Sequence, residues 1–357
     1  MNHFKKIREK LTTYGLDAML LTGEANRFYA SGFHSTGTDG VAVVTKEKSY
    51  YFTDSRYIEA ALRYVQGAEI QLMGRGRSYF SLIGEVIARH GIQILGFEDE
   101  TMTVADWEKY RTKFDCQLQP ASRLLWDLRC VKDDEEIAAL TAAQRIAERA
   151  FDEVLGEIRE GVTEREIAAR LTYLMLHYGA ENLSFDPIVL SGPNGSLPHG
   201  VPTDRKICAG EFITMDYGCI YHGYCSDMTR TVAYGYATGE MQLLYRTVLQ
   251  AQLAGIAAAK AGVTGHDVDE AARAVITSAG YGDCFGHSFG HGVGVEVHEG
   301  PNASPTSQIP MPAGSVISAE PGIYLAGKMG IRIEDVVVLR DSDCLNLTRA
   351  TKELLIL

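Results

Sequence analysis

A nine-residue phrase occurs twice in the chain, with its copies 104 positions apart. The first copy is GEFITMDYG at residues 210–218, and the second is GSVISAEPG at residues 314–322. Each copy has the pattern of a short apolar strand that ends in a carboxylate, Asp216 or Glu320, before a turn glycine. A charge at the end of a buried strand needs a compensating partner, so the repeat predicts a cation site built by duplication.

The duplication extends to the helices that precede each phrase. Helix patterns that begin near residues 133 and 241 each end in Gly-Val-Thr, at 161–163 and 262–264, and a second helix follows each. Glycine suits the left-handed end of one helix and threonine the N-cap of the next, so local chemistry explains this motif. The offset here is 101 residues. The second part of the chain therefore predicts two half-domains related by a pseudo-twofold axis, each with two helices and a β-ribbon.

Residues 1–122 are predicted to form a separate α/β domain, because helix and strand patterns alternate throughout this region. The segment 119–122 interrupts the alternation, and the acids at 133–136 open a long helix where its dipole favours them. We therefore expect two domains, residues 1–122 and 123–357. A chain of 357 residues is long enough for both.

Charge and hydropathy exclude several classes of partner. The formal net charge is −12 and no basic run could follow a phosphate backbone, so we expect no nucleic acid partner. No apolar run approaches the roughly 18 to 20 residues of a membrane span, and the first residues predict an amphipathic helix. We expect no membrane association and a cytoplasmic location. The seven cysteines include no C-x-x-C pair and are expected to be reduced thiols.

A second acid follows each repeated phrase across a glycine-containing turn. Asp227 lies eleven positions after Asp216, and Glu334 lies fourteen positions after Glu320. A hairpin in each copy can bring the two acids of a pair side by side. Four converging carboxylates repel one another unless cations neutralise them, and their charge balances two divalent ions.

The region between the two copies is rich in histidine and glycine, GHSFGHGVGVEVHE at residues 286–299. The spacing of His287 and His291 is that of a zincin helix, but Ser288 stands where such a helix carries glutamate, and the glycines disfavour a helix. A phosphate-binding loop is disfavoured as well, because no strand-turn-helix pattern surrounds the glycines. The residues alone leave the role of these histidines open.

The phrases MDYG, SDMTRT, GHGVGVEVHE, SAEPGIY and RIED together resemble the pita-bread metallopeptidases, which include methionine aminopeptidase, aminopeptidase P and prolidase. The resemblance spans residues 123–357 and implies an α+β catalytic domain of the pita-bread fold. It also implies two divalent metal ions. Asp227 and Glu334 would bridge both ions and Asp216 would bind the first ion. His291 and Glu320 would bind the second ion. Creatinase shares the fold but lacks the full ligand set.

An N-terminal α/β domain of the creatinase/prolidase type, with the phrases YASGF and DSRY, selects the aminopeptidase P and prolidase branch. The resemblance then implies that His199 and His298 lie beside the scissile carbonyl and that His287 lies near the proline ring. Tyr324 and Arg332 match further positions of the substrate-binding site. A homodimer is also implied.

The expected activity is hydrolysis of the bond between an N-terminal residue and a following proline. The resemblance implies attack by a hydroxide that bridges the two metals, with Glu320 moving the proton and His298 and His199 stabilising the oxyanion. Carboxylate-rich coordination with a single histidine favours manganese, with cobalt possible and zinc or iron less favoured.

Three alternatives stay open. They are an Xaa-Pro dipeptidase, an aminopeptidase that removes Met or small residues before positions other than proline, and a peptide-binding protein without catalysis. The absence of an arginine shortly after His298-Glu299 favours peptides longer than dipeptides. A neighbouring copy could supply the missing cation from His34, Arg56 or Arg75.

Overall fold

The computed structural model describes residues 2–37 and 39–357. The chain divides into two compact units, Met1–Arg129 and Cys130–Leu357. The predicted boundary between residues 122 and 123 falls at the start of a helix, Ser122–Cys130, and the two units divide near the end of the same helix.

The first unit is built on a six-stranded mixed sheet. Its strands are β1 (Ala18–Leu21), β2 (Gly40–Thr45), β3 (Ser49–Thr53), β4 (Glu69–Leu72), β5 (Ile94–Phe97) and β6 (Gln117–Pro120). Its helices are α1 (Phe4–Lys10), α2 (Glu24–Ser31), α3 (Ile58–Tyr64), α4 (Tyr79–His90) and α5 (Val104–Lys113), and α6 is Ser122–Cys130. The strand order is β4-β3-β2-β1-β5-β6, and apolar side chains of α4 and α5 pack with those of β1 to β3 in one core. This arrangement confirms the predicted α/β class.

Two local expectations differ from the structure. Helix α2 has no counterpart among the predicted elements, because its buried face includes polar side chains such as Asn26 and Arg27. Asn26 donates to the carboxylate of Glu98 at 2.6 Å, and Arg27 donates to the carbonyl of Ser35 at 2.8 Å. The segment 119–122, interpreted as a break, contains the end of β6 and the first residue of α6.

The second unit contains four long helices and several small sheets. The helices are α7 (Asp134–Val154), α8 (Glu164–His177), α9 (Gly239–Ala258) and α10 (Gly265–Ser278). The strands of its first half are β7 (Asn182–Leu183), β8 (Ile188–Ser191), β9 (Glu211–Tyr217), β10 (Cys219–Tyr221), β11 (Tyr224–Cys225) and β12 (Met228–Tyr234). Those of its second half are β13 (Gly290–Gly292), β14 (Glu299–Ala303), β15 (Val316–Ala319), β16 (Gly322–Leu325), β17 (Met329–Arg332), β18 (Asp335–Leu339) and β19 (Cys344–Asn346).

The two halves of this unit repeat the same plan. Helix α7 packs with α8 and α9 packs with α10, and each pair is joined through a glycine with positive φ, 85° at Gly161 and 81° at Gly262. Thr163 and Thr264 cap the second helix of each pair as predicted, because each side chain accepts a backbone N–H three residues later. Each half also has its own apolar core. The predicted internal duplication is confirmed.

The β-ribbons bring the second acid of each pair close to the first. Strand β9 pairs with β12 in antiparallel register, Thr229 opposite Asp216, so Asp227 lies next to the end of the ribbon that carries Asp216. Strand β15 pairs with β18, Ala319 opposite Asp335, which sets Glu320 and Glu334 immediately outside the paired strands. Each hairpin thus returns its second acid to the first.

Two expectations from composition can be compared with the described residues. Within them, no helix combines the length and apolar character needed to cross a membrane. The structure pairs none of the seven cysteines in a disulfide.

Arg230 joins the two halves of the second unit. Its side chain is 1% exposed and pairs with the buried carboxylate of Asp335 at 2.8 Å. Its remaining donors reach backbone carbonyls of both ribbons and of the C-terminal segment, at Thr229, Glu334, Ala350 and Thr351. One guanidinium therefore fixes the start of β18 to the neighbouring ribbon.

We expect Arg230→Met to lower the free energy of unfolding by about 3 kcal/mol, because the substitution leaves buried acceptors without their donor. Urea unfolding followed by circular dichroism measures the loss. The matched control is Arg165→Met, which removes an exposed pair with Asp204 and should cost less than about 1 kcal/mol. Equal losses in the two variants would contradict the central role of Arg230.

Candidate metal centre

A cavity of about 530 Å³ in the second unit brings the predicted site residues together. Nine of the ten line it, contributed by both ribbons and by the loops between them: His199, Asp216, Asp227, His287, His291, His298, Glu320, Arg332 and Glu334. The tenth, Tyr324, hydrogen-bonds to two of these residues. Residues separated by more than a hundred positions thus share one site.

The acids converge around His291. One ligand atom each of Asp227, His291 and Glu334 lie within 4.8 Å of one another, which would suit a metal ion. Nε2 of His291 is 3.1 Å from Oε1 of Glu320 and 3.6 Å from Oδ2 of Asp227. Nδ1 of the same ring donates to the carbonyl of Gly292 at 3.1 Å, so Nε2 is the nitrogen that faces the acids.

Asp216 supplies a further oxygen to the site. Its Oδ2 accepts from Nη2 of Arg332 at 2.5 Å. Its Oδ1 is buried and has no hydrogen-bond partner among residues 2–37 and 39–357. A buried carboxylate oxygen without a donor is unfavourable, and a cation would satisfy it.

The pKa values of three of these acids show that their ionised forms are disfavoured in the cavity. Burial raises the pKa of Asp216, and burial with nearby carboxylates raises the pKa values of Asp227 and Glu334 well above their usual range. Without a metal these groups therefore tend to hold protons. An ion that displaced the protons would remove the repulsion between the carboxylates.

Glu320 and His291 behave differently from the other acids. Burial favours the neutral form of each, but their mutual hydrogen bond and attraction dominate. As a result the pKa of His291 is raised to about 9 and that of Glu320 is lowered to about 2. The protonated imidazole occupies the position where a cation would neutralise the acids, and the set of hard oxygens with one imidazole fits a divalent metal ion.

A hydrogen-bonded chain runs from Asp216 to His287. Arg332 donates Nη1 to the Tyr324 hydroxyl at 2.7 Å, and that hydroxyl lies 3.0 Å from Nε2 of His287. Nδ1 of His287 is 2.9 Å from the carbonyl of Ser288, to which it donates. Burial lowers the pKa of His287, so the ring is neutral near pH 7 and both its nitrogens are engaged. With both nitrogens engaged, only carbon atoms of the ring remain for a further contact.

The other two histidines lie on loops around the cavity. The ring of His298 is centred 4.0 Å from that of His291, and burial together with the His291 charge lowers the pKa of His298. His199 is exposed and follows Pro198, whose carbonyl accepts from Arg332 at 3.3 Å. Both histidines can present an N–H to a molecule in the cavity.

Two site residues were missed by the sequence reasoning. Thr229 accepts from Nε of Arg332 at 3.0 Å and donates to Glu334 at 2.7 Å. Ser318 accepts from the backbone N–H of His291 at 3.0 Å and donates to Glu320 at 2.9 Å. Each stands two positions from an acid of a ribbon, so the period of a β-strand was the available signal.

The three N-terminal cations named above lie in the first unit. His34 stacks on Phe28 with ring centroids 4.0 Å apart. Arg56 is paired with Asp54 and Asp39, and Arg75 is exposed. Their action on a neighbouring copy stays a prediction.

Comparison with protein families identifies the class to which the chain belongs. Residues 138–341 match metallopeptidase family M24, and residues 4–131 match the Creatinase/Prolidase N-terminal domain. The chain therefore belongs to metallopeptidase family M24, and it is a hydrolase whose family uses divalent metals. The resemblance found in the sequence is confirmed.

Relatives match along nearly the whole chain. The Xaa-Pro dipeptidase of Pyrococcus furiosus is 35% identical over 356 residues, which cover 98% of this chain and 100% of that protein. The structure of the Xaa-Pro dipeptidase from Bacillus anthracis is 40% identical with a TM-score of 0.94, covering 99% of each chain. The structure of the X-Pro aminopeptidase from Thermotoga maritima is 36% identical with a TM-score of 0.93, covering 100% of each chain.

We expect metal binding to stabilise the protein more as the pH rises. The raised pKa values of Asp227 and Glu334 mean that their contribution to the stability of the metal-free protein is complete at low pH and is lost as the pH rises through the folded values. Added Mn²⁺ should therefore raise the melting temperature more at about pH 8 than at about pH 5.5, and calorimetry should detect proton release.

The matched control for this experiment is an acid that lines the same cavity outside the cluster. Asp186→Asn changes such an exposed acid and should keep the pH dependence. Asp227→Asn should lose most of the metal-induced stabilisation. An equal rise in melting temperature at both pH values in the unmodified protein would contradict the assignment.

Proposed function

We propose that this chain is an exopeptidase that hydrolyses the bond between an N-terminal residue and a following proline, in peptides longer than a dipeptide. The carrying observation is that a carboxylate–histidine cluster and three further histidines line one cavity. Proline specificity is supported by relatives at 35% to 40% identity that are named Xaa-Pro dipeptidase or X-Pro aminopeptidase.

Two divalent ions, most favourably manganese, are part of the proposal. Four carboxylates balance the charge of two such ions, and oxygen-rich coordination favours manganese or cobalt over zinc or iron. The residues that would hold the ions are Asp216, Asp227, His291, Glu320 and Glu334. When bound, the ions would lower the pKa of a water molecule to provide a nucleophile and would polarise the peptide carbonyl.

Glu320 is proposed to carry the proton. Ser318 donates to its Oε1 at 2.9 Å and so orients the carboxylate. An ionised carboxylate can accept the proton of the attacking water and deliver it to the departing nitrogen. Any peptide nitrogen must gain a proton to leave as an amine. The nitrogen of proline also lacks the N–H that an enzyme could bind.

The three histidines around the cavity are proposed to recognise the reacting peptide. His298 and His199 would donate N–H groups to the carbonyl oxygen as negative charge develops on it. His287 has both nitrogens engaged, so its ring face is available to the apolar proline ring. Tyr324 and Arg332 would keep that ring in place through the hydrogen bonds described above.

The preference for longer peptides follows from the charges of the cavity. Among the described residues that line it, Arg332 is the only lysine or arginine, and Asp216 and Tyr324 already engage it. A dipeptide places its C-terminal carboxylate next to this site and would find no unengaged cation there. The second candidate is an Xaa-Pro dipeptidase, which the names of the relatives favour. The homodimer and the cytoplasmic location stay predictions.

Rates on Ala-Pro, Ala-Pro-Ala and Met-Ala-Ala, measured with each candidate metal, test the proposal. We expect Ala-Pro-Ala to be hydrolysed fastest, with manganese as the best activator. Faster hydrolysis of Ala-Pro would select the dipeptidase, and preference for Met-Ala-Ala would select the aminopeptidase for non-proline positions. No hydrolysis with any metal would reject the enzymatic proposal and leave peptide binding.

We expect Glu320→Gln to lower kcat by at least about 10²-fold, because the amide cannot accept the proton. Steady-state kinetics on Ala-Pro-Ala measures the loss. The control is Glu240→Gln, which changes an exposed glutamate paired with Lys328 and should leave kcat unchanged. Retained activity in Glu320→Gln would refute its role as the proton carrier.

A further inference from the structure

Each half of the second unit contains a buried acid that holds a loop bearing a cavity histidine. Glu164 on α8 is bonded to the segment that carries His199, and Asp269 on α10 is bonded to the segment that carries His287. We propose that Glu164 and Asp269 are positioning residues that set these two histidines for the reaction. This inference rests on the proposed function, because it assigns the histidines to substrate recognition.

Glu164 binds both ends of the loop at residues 191–203. Its carboxylate is fully buried and accepts from the backbone N–H of Ser191 at 2.7 Å and from that of Thr203 at 3.0 Å. The hydroxyls of the same two residues donate at 2.9 and 2.7 Å. Nδ2 of Asn194 lies 3.1 Å from each carboxylate oxygen. One side chain therefore closes a loop in which His199 is the cavity histidine.

The middle of this loop is fixed to the hairpin of β16 and β17. Gly195 packs so closely on Gly330 that a Cβ at residue 330 would lie 1.8 Å from the carbonyl oxygen of Gly195. Ser196 accepts from the backbone N–H of Gly327 at 3.1 Å. Arg332 holds the carbonyl of Pro198 as well. His199 therefore lies in a loop whose middle is fixed by these contacts and whose two ends are fixed by Glu164.

Asp269 performs the equivalent task with the help of Arg273. Oδ1 of Asp269, which is 1% exposed, accepts from the backbone N–H of Phe289 at 2.8 Å. Both oxygens also pair with Arg273, at 2.7 and 3.1 Å. Arg273 in turn donates to the carbonyls of Phe285 at 3.0 Å and His287 at 2.8 Å. Three backbone groups of residues 285–289 are thus held by one ion pair.

The two acids do not occupy equivalent positions in the two halves. The offset of 101 residues places Gly265 opposite Glu164. A Cβ at residue 265 would lie 2.0 Å from the carbonyl oxygen of Asn302, so no side chain fits there. The acid of the second half stands one turn further along the helix, at Asp269. The two halves therefore reach the same result by different residues.

The packing of α8 and α10 does not require the charged side chains of Glu164 and Asp269. Burying a carboxylate is unfavourable unless donors compensate it. The donors to Glu164 all belong to its loop, and Asp269 is bonded to its loop directly at Phe289 and indirectly through Arg273. Neither acid is among the described residues that line the cavity. Their influence on a bound peptide must therefore pass through the loops.

Hydrogen exchange of the metal-free protein tests the inference without any assay of activity. We expect Glu164→Gln to speed amide exchange in residues 191–203 by at least about 10-fold and to leave residues 285–289 unchanged. Asp269→Asn should give the reverse pattern, so each variant is the control for the other. Exchange that rises equally across the whole second unit in either variant would overturn the inference, because it would show a general loss of stability.

Double-mutant cycles on kcat/KM for Ala-Pro-Ala test the link to each histidine. Introduced alone, Glu164→Gln should lower kcat/KM by about 10-fold or more. Added to His199→Ala, it should have little further effect. Asp269→Asn should keep its effect in His199→Ala and lose it in His287→Ala. Additive effects in all four combinations would overturn the positioning role.

Two milder variants cover the case in which an acid variant fails to fold. Thr203→Val removes one donor to Glu164, and Arg273→Gln removes the partner of Asp269. Each should reproduce the local exchange pattern of the acid variant it replaces, and its failure to do so would overturn the inference. If the unmodified protein hydrolyses no Xaa-Pro peptide while the exchange patterns stay local, the proposed function fails and the anchoring of the loops stands.

Discussion

The repulsion among buried carboxylates is the constraint on which the rest of the second unit depends. Asp216, Asp227 and Glu334 all have raised pKa values, because burial disfavours their charge. Two groups of the chain offset part of this effect. The guanidinium of Arg332 pairs with Asp216, and the protonated imidazole of His291 pairs with Glu320. A divalent cation would complete the neutralisation, so the arrangement of these residues favours metal binding.

The duplicated fold brings the four acids together with few contacts between residues distant in sequence. Each ribbon returns its second acid to the first through a local turn, and the packing of the two ribbons then brings the pairs together. The two halves differ at the residues of the candidate metal centre. The acids are eleven positions apart in one half and fourteen in the other, and His291 belongs only to the second half. The site therefore has two unequal sides, which suits a reaction with distinct donor and acceptor roles.

Burial also sets the state of the histidines around the cavity. It lowers the pKa values of His287 and His298, so both are neutral near pH 7 and each ring has one donor and one acceptor nitrogen. These residues stand outside the regular ribbons, where the backbone is less constrained. The loops of His199 and His287 are instead fixed by the buried carboxylates of Glu164 and Asp269. Acidic side chains thus serve the site in two ways, some by facing the cavity and others by holding its walls.

The sequence by itself indicated the four acids and the ribbon plan, because strand period, turn glycines and duplication can be read from the chain. It also determined the caps at Thr163 and Thr264 for the same reason. The role of His291 came only from the resemblance to a known family. Only the tertiary structure decided which distant residues contact the site residues. Arg332 meets Asp216 across 116 positions and Arg230 meets Glu334 across 104, and helix α2 exists because its polar side chains find buried partners. A hydrogen bond between distant residues leaves no periodic trace in the chain, so such partners become visible only when folding brings them together.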